Sequence, residues 1–172
     1  MRKVGPVRHA GMGPMYLQAN RNKRSVVLDL KNKADRATLV ALAARVDVVV
    51  SNIRPQALKR LGLDRDALAI DNPGLIFCSA VGYGSSGPLA GKAVYDDLMQ
   101  AAAGISGLFG QVDGAPRYAP INVSDRVVGL YLVIAILAAL QHRNATGEGQ
   151  NVEVPMFETI AQFVLQDHMG GG

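Results

Sequence analysis

The sequence predicts an α/β fold, a Rossmann-like parallel sheet with flanking helices that is incomplete at both ends. Three observations predict it. Short strand-like segments recur at residues 25–30, 48–50, 75–81 and 151–154, those at 48–50 and 75–81 nearly all apolar as expected of strands buried on both faces. The segments between them carry apolar residues at helical spacing, and Gly, Pro and Asp punctuate the junctions. Strands alternating with helices imply right-handed βαβ units and a sheet covered on both sides.

Taken in order, Ser25-Val26-Val27-Leu28-Asp29-Leu30 reads as the first strand. A helix follows over Asp35 to Val46, with Leu39, Leu42, Ala43 and Val46 on one face. Val48-Val49-Val50 is a short buried strand. Pro55 opens a brief helix that runs to Leu61 and stops at Gly62, and Asp64 caps another through Ile70. Leu75 to Val81 is the next strand, and a loop rich in Gly, Ser and Pro spans Gly82 to Ala93. Tyr95 to Leu108 resumes a helical pattern, and Asp113-Gly114-Ala115-Pro116 forms a turn. A nearly all-apolar run from Val127 to Leu140 reads as a buried helix ending near Arg143. Thr146 to Gln150 turns into the strand Asn151 to Val154, and Pro155 starts a final helix that reaches about His168.

Two regions result. Residues 1–24 form an irregular N-terminal segment, and residues 25–172 form a partial α/β core. Because the pattern begins mid-unit and stops straight after a helix, the chain is expected to be a fragment of a longer protein.

Composition narrows the function classes. Hydrophobic content of 49% with 19% charged residues excludes a disordered chain, and 172 residues suit one domain. A net charge of +4 suits an anionic partner such as a nucleotide, a phosphorylated cofactor or nucleic acid. Aromatic residues make up only 5% and tryptophan is absent, so base-stacking platforms are scarce and no nucleic-acid partner is expected. Cys78 is the single cysteine and lies in an apolar run, which predicts a buried thiol and a reducing, cytoplasmic setting. No secretion signal is present at Met1, and the longest uncharged apolar stretch, about fifteen residues, falls short of a membrane span.

Most chemical motifs fail on context. Gly82-Tyr83-Gly84-Ser85-Ser86-Gly87 matches the dinucleotide fingerprint in spelling, but Pro88 follows where a helix should already run to meet a pyrophosphate. A flexible loop over an active site is the better reading. The basic cluster Asn22-Lys23-Arg24 reads as solvated surface or a phosphate contact. His9, His142 and His168 are scattered without partners at ligand spacing, so no metal site is expected. No Gly-x-Ser-x-Gly turn supports a serine triad. Any chemistry would therefore rest on a carboxylate. Asp125, in Pro120-Ile121-Asn122-Val123-Ser124-Asp125, precedes the long apolar helix, where unpaired N–H groups hold a carboxylate ionised and aimed outward. That position fits a nucleophile, and it equally fits an ordinary capping aspartate, the commoner case.

Several segments carry a further signal in combination. They are Asn20-Arg21-Asn22-Lys23-Arg24-Ser25 with Leu28-Asp29-Leu30-Lys31, Val48 to Pro55, Leu58-Lys59-Arg60-Leu61-Gly62-Leu63, and Asn72-Pro73. To these add Gly82-Tyr83-Gly84 with Gly87-Pro88, Val94-Tyr95-Asp96 with Gln100-Ala101, and Thr146-Gly147-Glu148-Gly149-Gln150. Their order and spacing closely resemble the class III coenzyme A transferases of the formyl-CoA and carnitine CoA-transferase type, a family that also includes the α-methylacyl-CoA racemases. The resemblance implies that Asp125 is the nucleophile in moving CoA from an acyl-CoA to a small carboxylic acid, with CoA as substrate and no permanently bound cofactor. It further implies that Leu28, Lys31, Asn52, Ile53, Ala57 and Arg60 line the CoA path, with Tyr95 and Asp96 at its thioester end. The racemases carry a histidine base ahead of the Asp96 position. Tyr95 stands there in this chain, and a phenol with a pKa of about 10 is a poor base for an α-proton. A non-catalytic CoA- or nucleotide-binding fragment is the alternative of a different class, since the family's first strand and helix and its smaller second domain have no counterpart here. The family also implies an interlocked homodimer.

Overall fold

A computed structural model describes residues 2–170. Three parallel strands, β1 (Val48–Ser51), β2 (Ile76–Val81) and β3 (Asn151–Pro155), lie in the order β1-β2-β3, so β2 is central. Val50 pairs with Cys78, and Cys78 with Val152. Helices α3 (Pro55–Leu61) and α4 (Arg65–Leu68) carry the chain from β1 to β2. The second crossover uses α5 (Asp96–Ala102), α6 (Ile105–Asp113) and α7 (Val123–Thr146), and α8 (Met156–His168) follows β3. Ahead of the sheet stand α1 (Pro14–Ala19) and α2 (Lys33–Ala43).

Alternation along β2 divides the core between the two faces of the sheet. Leu75 and Phe77 join Leu58, Leu63, Leu68 and Ala43 in one cluster. Cys78 joins Met99, Val128, Val154, Ile160 and Val164 in the other. Both faces are thus covered, as the largely apolar central strand predicts. Burial raises the Cys78 thiol above its ordinary pKa, in keeping with an inert core residue.

Local signals account for many element ends. Asn32 caps α2 by accepting the Ala34 N–H at 2.8 Å, and the Asp64 carboxylate caps α4 through the Ala67 N–H. Pro55 occupies the first turn of α3, and Gly62 closes it at φ 67°.

Four expectations are corrected. Residues 23–29 form no regular secondary structure and join no ladder, and Val27 is 93% exposed. Strand-like composition at 25–30 cannot make a strand without a neighbour to receive its hydrogen bonds. The helix expected over Tyr95 to Leu108 breaks at Gly104 (φ 87°), and α6 then takes in Asp113 before turning at Gly114. The N-terminal segment holds one short helix, α1, which buries no residue. Finally, α7 begins at Val123 and extends to Thr146, 24 residues with a mean hydropathy of 2.0 over its most apolar window. By length and composition it could cross a membrane. Within this chain it instead packs on β2, β3, α5 and α8.

Candidate active site

The three parallel strands end on the same side, and a cleft of about 800 Å³ opens there. Such crevices at carboxyl strand ends are where open α/β sheets bind ligands, because the loops leaving the strands diverge and expose backbone and side-chain polar groups. The β1–α3 turn supplies Ser51 to Gln56, and the end of β2 with the loop after it supplies Ala80 to Tyr83. Ala90 to Asp96 form another wall, and Asp125, Val128 and Leu132 of α7 face them.

Asp125 is the third residue of α7 and its side chain is exposed to the cleft. It makes no salt bridge among the described residues. Its backbone N–H donates to Asp96 Oδ1 at 2.9 Å, so the carboxylate of Asp96 caps α7 from a different helix. The Asp125 carboxyl is nonetheless raised above the usual carboxylate pKa. Partial burial against the cleft wall is the larger cause, the negative charge of Asp96 is the second, and a hydrogen bond from the Asn122 side chain opposes both. The helix start favours the ionised form, and burial and Asp96 pull the other way.

Asp96 is itself held in place. Gln100, 2% exposed, donates to Asp96 Oδ2 at 2.6 Å and to the Ile121 carbonyl, and accepts the Ala119 N–H at 2.8 Å. Ser124, fully buried, donates weakly to the Asp96 carbonyl. This network ties α5 to the start of α7. Sequence reading missed it, although the four-residue spacing of Asp96 and Gln100 on one helix face was a visible sign.

The glycine-rich loop walls the cleft through Gly82, Tyr83 and Ser85. Two carboxylates hold it: Glu158 accepts the Gly84 N–H and Glu153 the Ser85 N–H, each at 2.9 Å. A Cβ at position 84 would press on Glu158 Oε1, the tip of a flexible side chain. No helix starts between β2 and Asp96, so the loop lacks the anion site of a dinucleotide fold.

Of the residues singled out from sequence, Asn52, Ile53, Tyr95, Asp96 and Asp125 all line this cleft. Tyr95, at the N-terminal boundary of α5, is 73% exposed. Arg60 lines an adjoining, shallower depression with Lys59 and Gln56, and Gln56 belongs to both. Ala57 lies between them on α3 but lines neither. Leu28, half-buried, and Lys31, exposed, also stand outside both. Arg54 and Lys92 add two cations to the cleft that sequence reading did not single out.

Residues 1–171 match CoA-transferase family III. The chain belongs to that family. It is 38% identical over 154 residues to a succinate–glutarate CoA-transferase of Agrobacterium fabrum, covering 90% of this chain and 38% of that protein. It is likewise 38% identical over 165 residues to an acetyl-CoA:oxalate CoA-transferase of Acetobacter aceti, covering 95% and 42%. Among solved structures, a CaiB/BaiF family protein from Brucella suis superposes with a TM-score of 0.84 at 37% identity, over 88% of this chain and 40% of that one. The chain thus spans about two fifths of the length of these relatives.

Proposed function

We propose that the protein containing this chain transfers CoA between an acyl-CoA and a small carboxylic acid, with Asp125 as the covalent nucleophile. The observation that carries the reading is Asp125 itself, an exposed carboxylate with no salt-bridge partner among the described residues, on the wall of a cleft at the strand ends of a family III fold. An Asp125 oxygen attacks the thioester carbonyl, the C–S bond breaks, and CoA leaves as thiolate, giving a mixed anhydride. The thiolate then attacks the Asp125 carbonyl and releases the donor acid, leaving an aspartyl-CoA thioester. An acceptor carboxylate attacks that thioester and expels thiolate again. Attack of the thiolate on the acceptor's acyl carbon forms the new acyl-CoA and restores Asp125. No net oxidation or proton uptake occurs.

Oxalate, succinate and glutarate in the names of the relatives support a small dicarboxylic acid as one substrate. Arg54 and Lys92 are the cleft cations suited to its second carboxylate. In this reading Leu28, Lys31, Asn52, Ile53, Ala57 and Arg60 track the CoA nucleotide and pantetheine, and the working form is a cytoplasmic interlocked homodimer.

The test is to incubate the complete protein with acyl-CoA, trap with hydroxylamine and locate the modified peptide by mass. Modification is expected at Asp125, with transfer abolished by Asp125→Ala. Intact transfer in that variant sinks the mechanism, and α-deuterium exchange without acyl exchange selects racemase chemistry instead.

A further inference from the structure

We propose that Asp96, clamped by Gln100, is a positioning residue that fixes the backbone at Asp125 and sets the nucleophilicity of its carboxylate by holding a like charge beside it. The inference rests on the transferase reading but deepens it, because the resemblance assigns Asp96 only to the CoA path. Both oxygens of Asp96 are already engaged within the chain, one by the Asp125 N–H at 2.9 Å and the other by Gln100 Nε2 at 2.6 Å. These two bonds fix the orientation of the Asp96 carboxylate within the chain.

The clamp is built to keep one orientation. Gln100 is buried and its carboxamide is fully used, with Asp96 and the Ile121 carbonyl on the nitrogen and the Ala119 N–H on the oxygen. Rotating the amide would set donor against donor at Ala119, so Asp96 always meets the N–H side. Two of these three bonds hold Ala119 and Ile121 in the segment that leads into α7. Geometry and charge therefore reach Asp125 through one network. A like charge at short range disfavours ionisation, and the oxygen that does ionise is more basic. A more basic oxygen attacks the thioester faster when other factors are equal. Other ionisable groups near Asp125 are Arg126 on its own helix and Arg54, Lys92, Glu153, Tyr83 and Tyr95 around the cleft. Burial is the larger cause of the shift at Asp125, and Asp96, rather than any of these groups, is the charge that adds to it.

Two variants separate bond from charge. Asp96→Asn with Gln100→Glu reverses the polarity of the 96–100 bond. The Asn oxygen still accepts from Asp125, and the Asn amide donates to the introduced glutamate. That glutamate in turn still accepts from Ala119 but cannot donate to the Ile121 carbonyl, so the charge beside Asp125 is displaced with the loss of that one bond. Gln100→Leu instead removes the clamp. Carbon-13 NMR titration of Asp125 is expected to show its midpoint at lower pH in the double variant, with the Asp125 amide still protected from hydrogen exchange. In Gln100→Leu that amide is expected to exchange faster. In the complete protein both variants are expected to lower kcat by up to about 100-fold, as for a misplaced reacting group, with KM for acyl-CoA little changed. An unchanged Asp125 titration in the double variant overturns the charge role, and unchanged amide exchange in Gln100→Leu overturns the clamp. Titration and exchange effects without acyl capture on wild-type Asp125 would uphold the network and reject the transferase reading instead.

Discussion

Two local influences oppose each other at Asp125. The first turn of α7 favours a negative charge, worth typically about 0.3–1 kcal/mol, while cleft burial and Asp96 disfavour it. The second pair prevails, since the folded-state pKa lies above the ordinary aspartate value. For a carboxyl shifted this way the native state binds the proton more tightly than the unfolded chain. Its contribution to stability is thus present at low pH and lost as pH rises through the folded pKa. Asp125→Asn should therefore gain on wild type between acid and neutral pH, by under about 1 kcal/mol because the side chain is largely exposed and screened. Urea titrations at a series of pH values would show it; a gap that moves against the Asn variant would mean that the helix terminus wins. The position of Asp125 was legible because first-turn placement is local. The sign of its shift was not, because Asp96 lies 29 residues away and meets it only across two helices.

Elements whose limits depend on caps were the readable ones. The range of α3 follows from Pro55 and Gly62, and α4 starts where Asp64 can cap it. Residues 25–30 show the opposite case, because a strand exists only if another supplies its hydrogen bonds, and that information is not in the segment. The turn after α7 joins both kinds of information. Gly147 ends the helix in the left-handed region at φ 81°, a local signal, while Gly149 passes so close to Leu75 that any Cβ would collide with its carbonyl oxygen. Gly149→Ala should accordingly cost about 1–3 kcal/mol or more, because the obstacle is the backbone leading into the central strand and not a flexible side chain. Equilibrium urea unfolding would detect it, and a neutral result would show that the turn can move away from β2.

At the scale of the molecule, helix α7 carries apolar residues on all sides but buries only one. Val128, packed with Cys78 and Val154 of the sheet, and Ala139 are buried, whereas Leu130, Val133, Ile134 and Leu137 form an exposed stripe at helical spacing. In this chain Ile160→Ala should cost about 2–5 kcal/mol, since Ile160 is fully buried in the cluster with Cys78, Met99 and Val128. Leu137→Lys should stay within about 0.5 kcal/mol. Comparable losses from the two substitutions would refute this orientation of the helix. By itself the sequence determined the α/β class, the capped helices, the buried thiol and the family, since each depends on periodicity, on residues adjacent in the chain or on motif order. Only the tertiary structure decided which strands pair, which face of α7 meets the sheet, and that Asp96 and Gln100 stand behind Asp125. Those facts arise from contacts between segments far apart in sequence, and no local preference encodes a contact whose other half lies elsewhere in the chain.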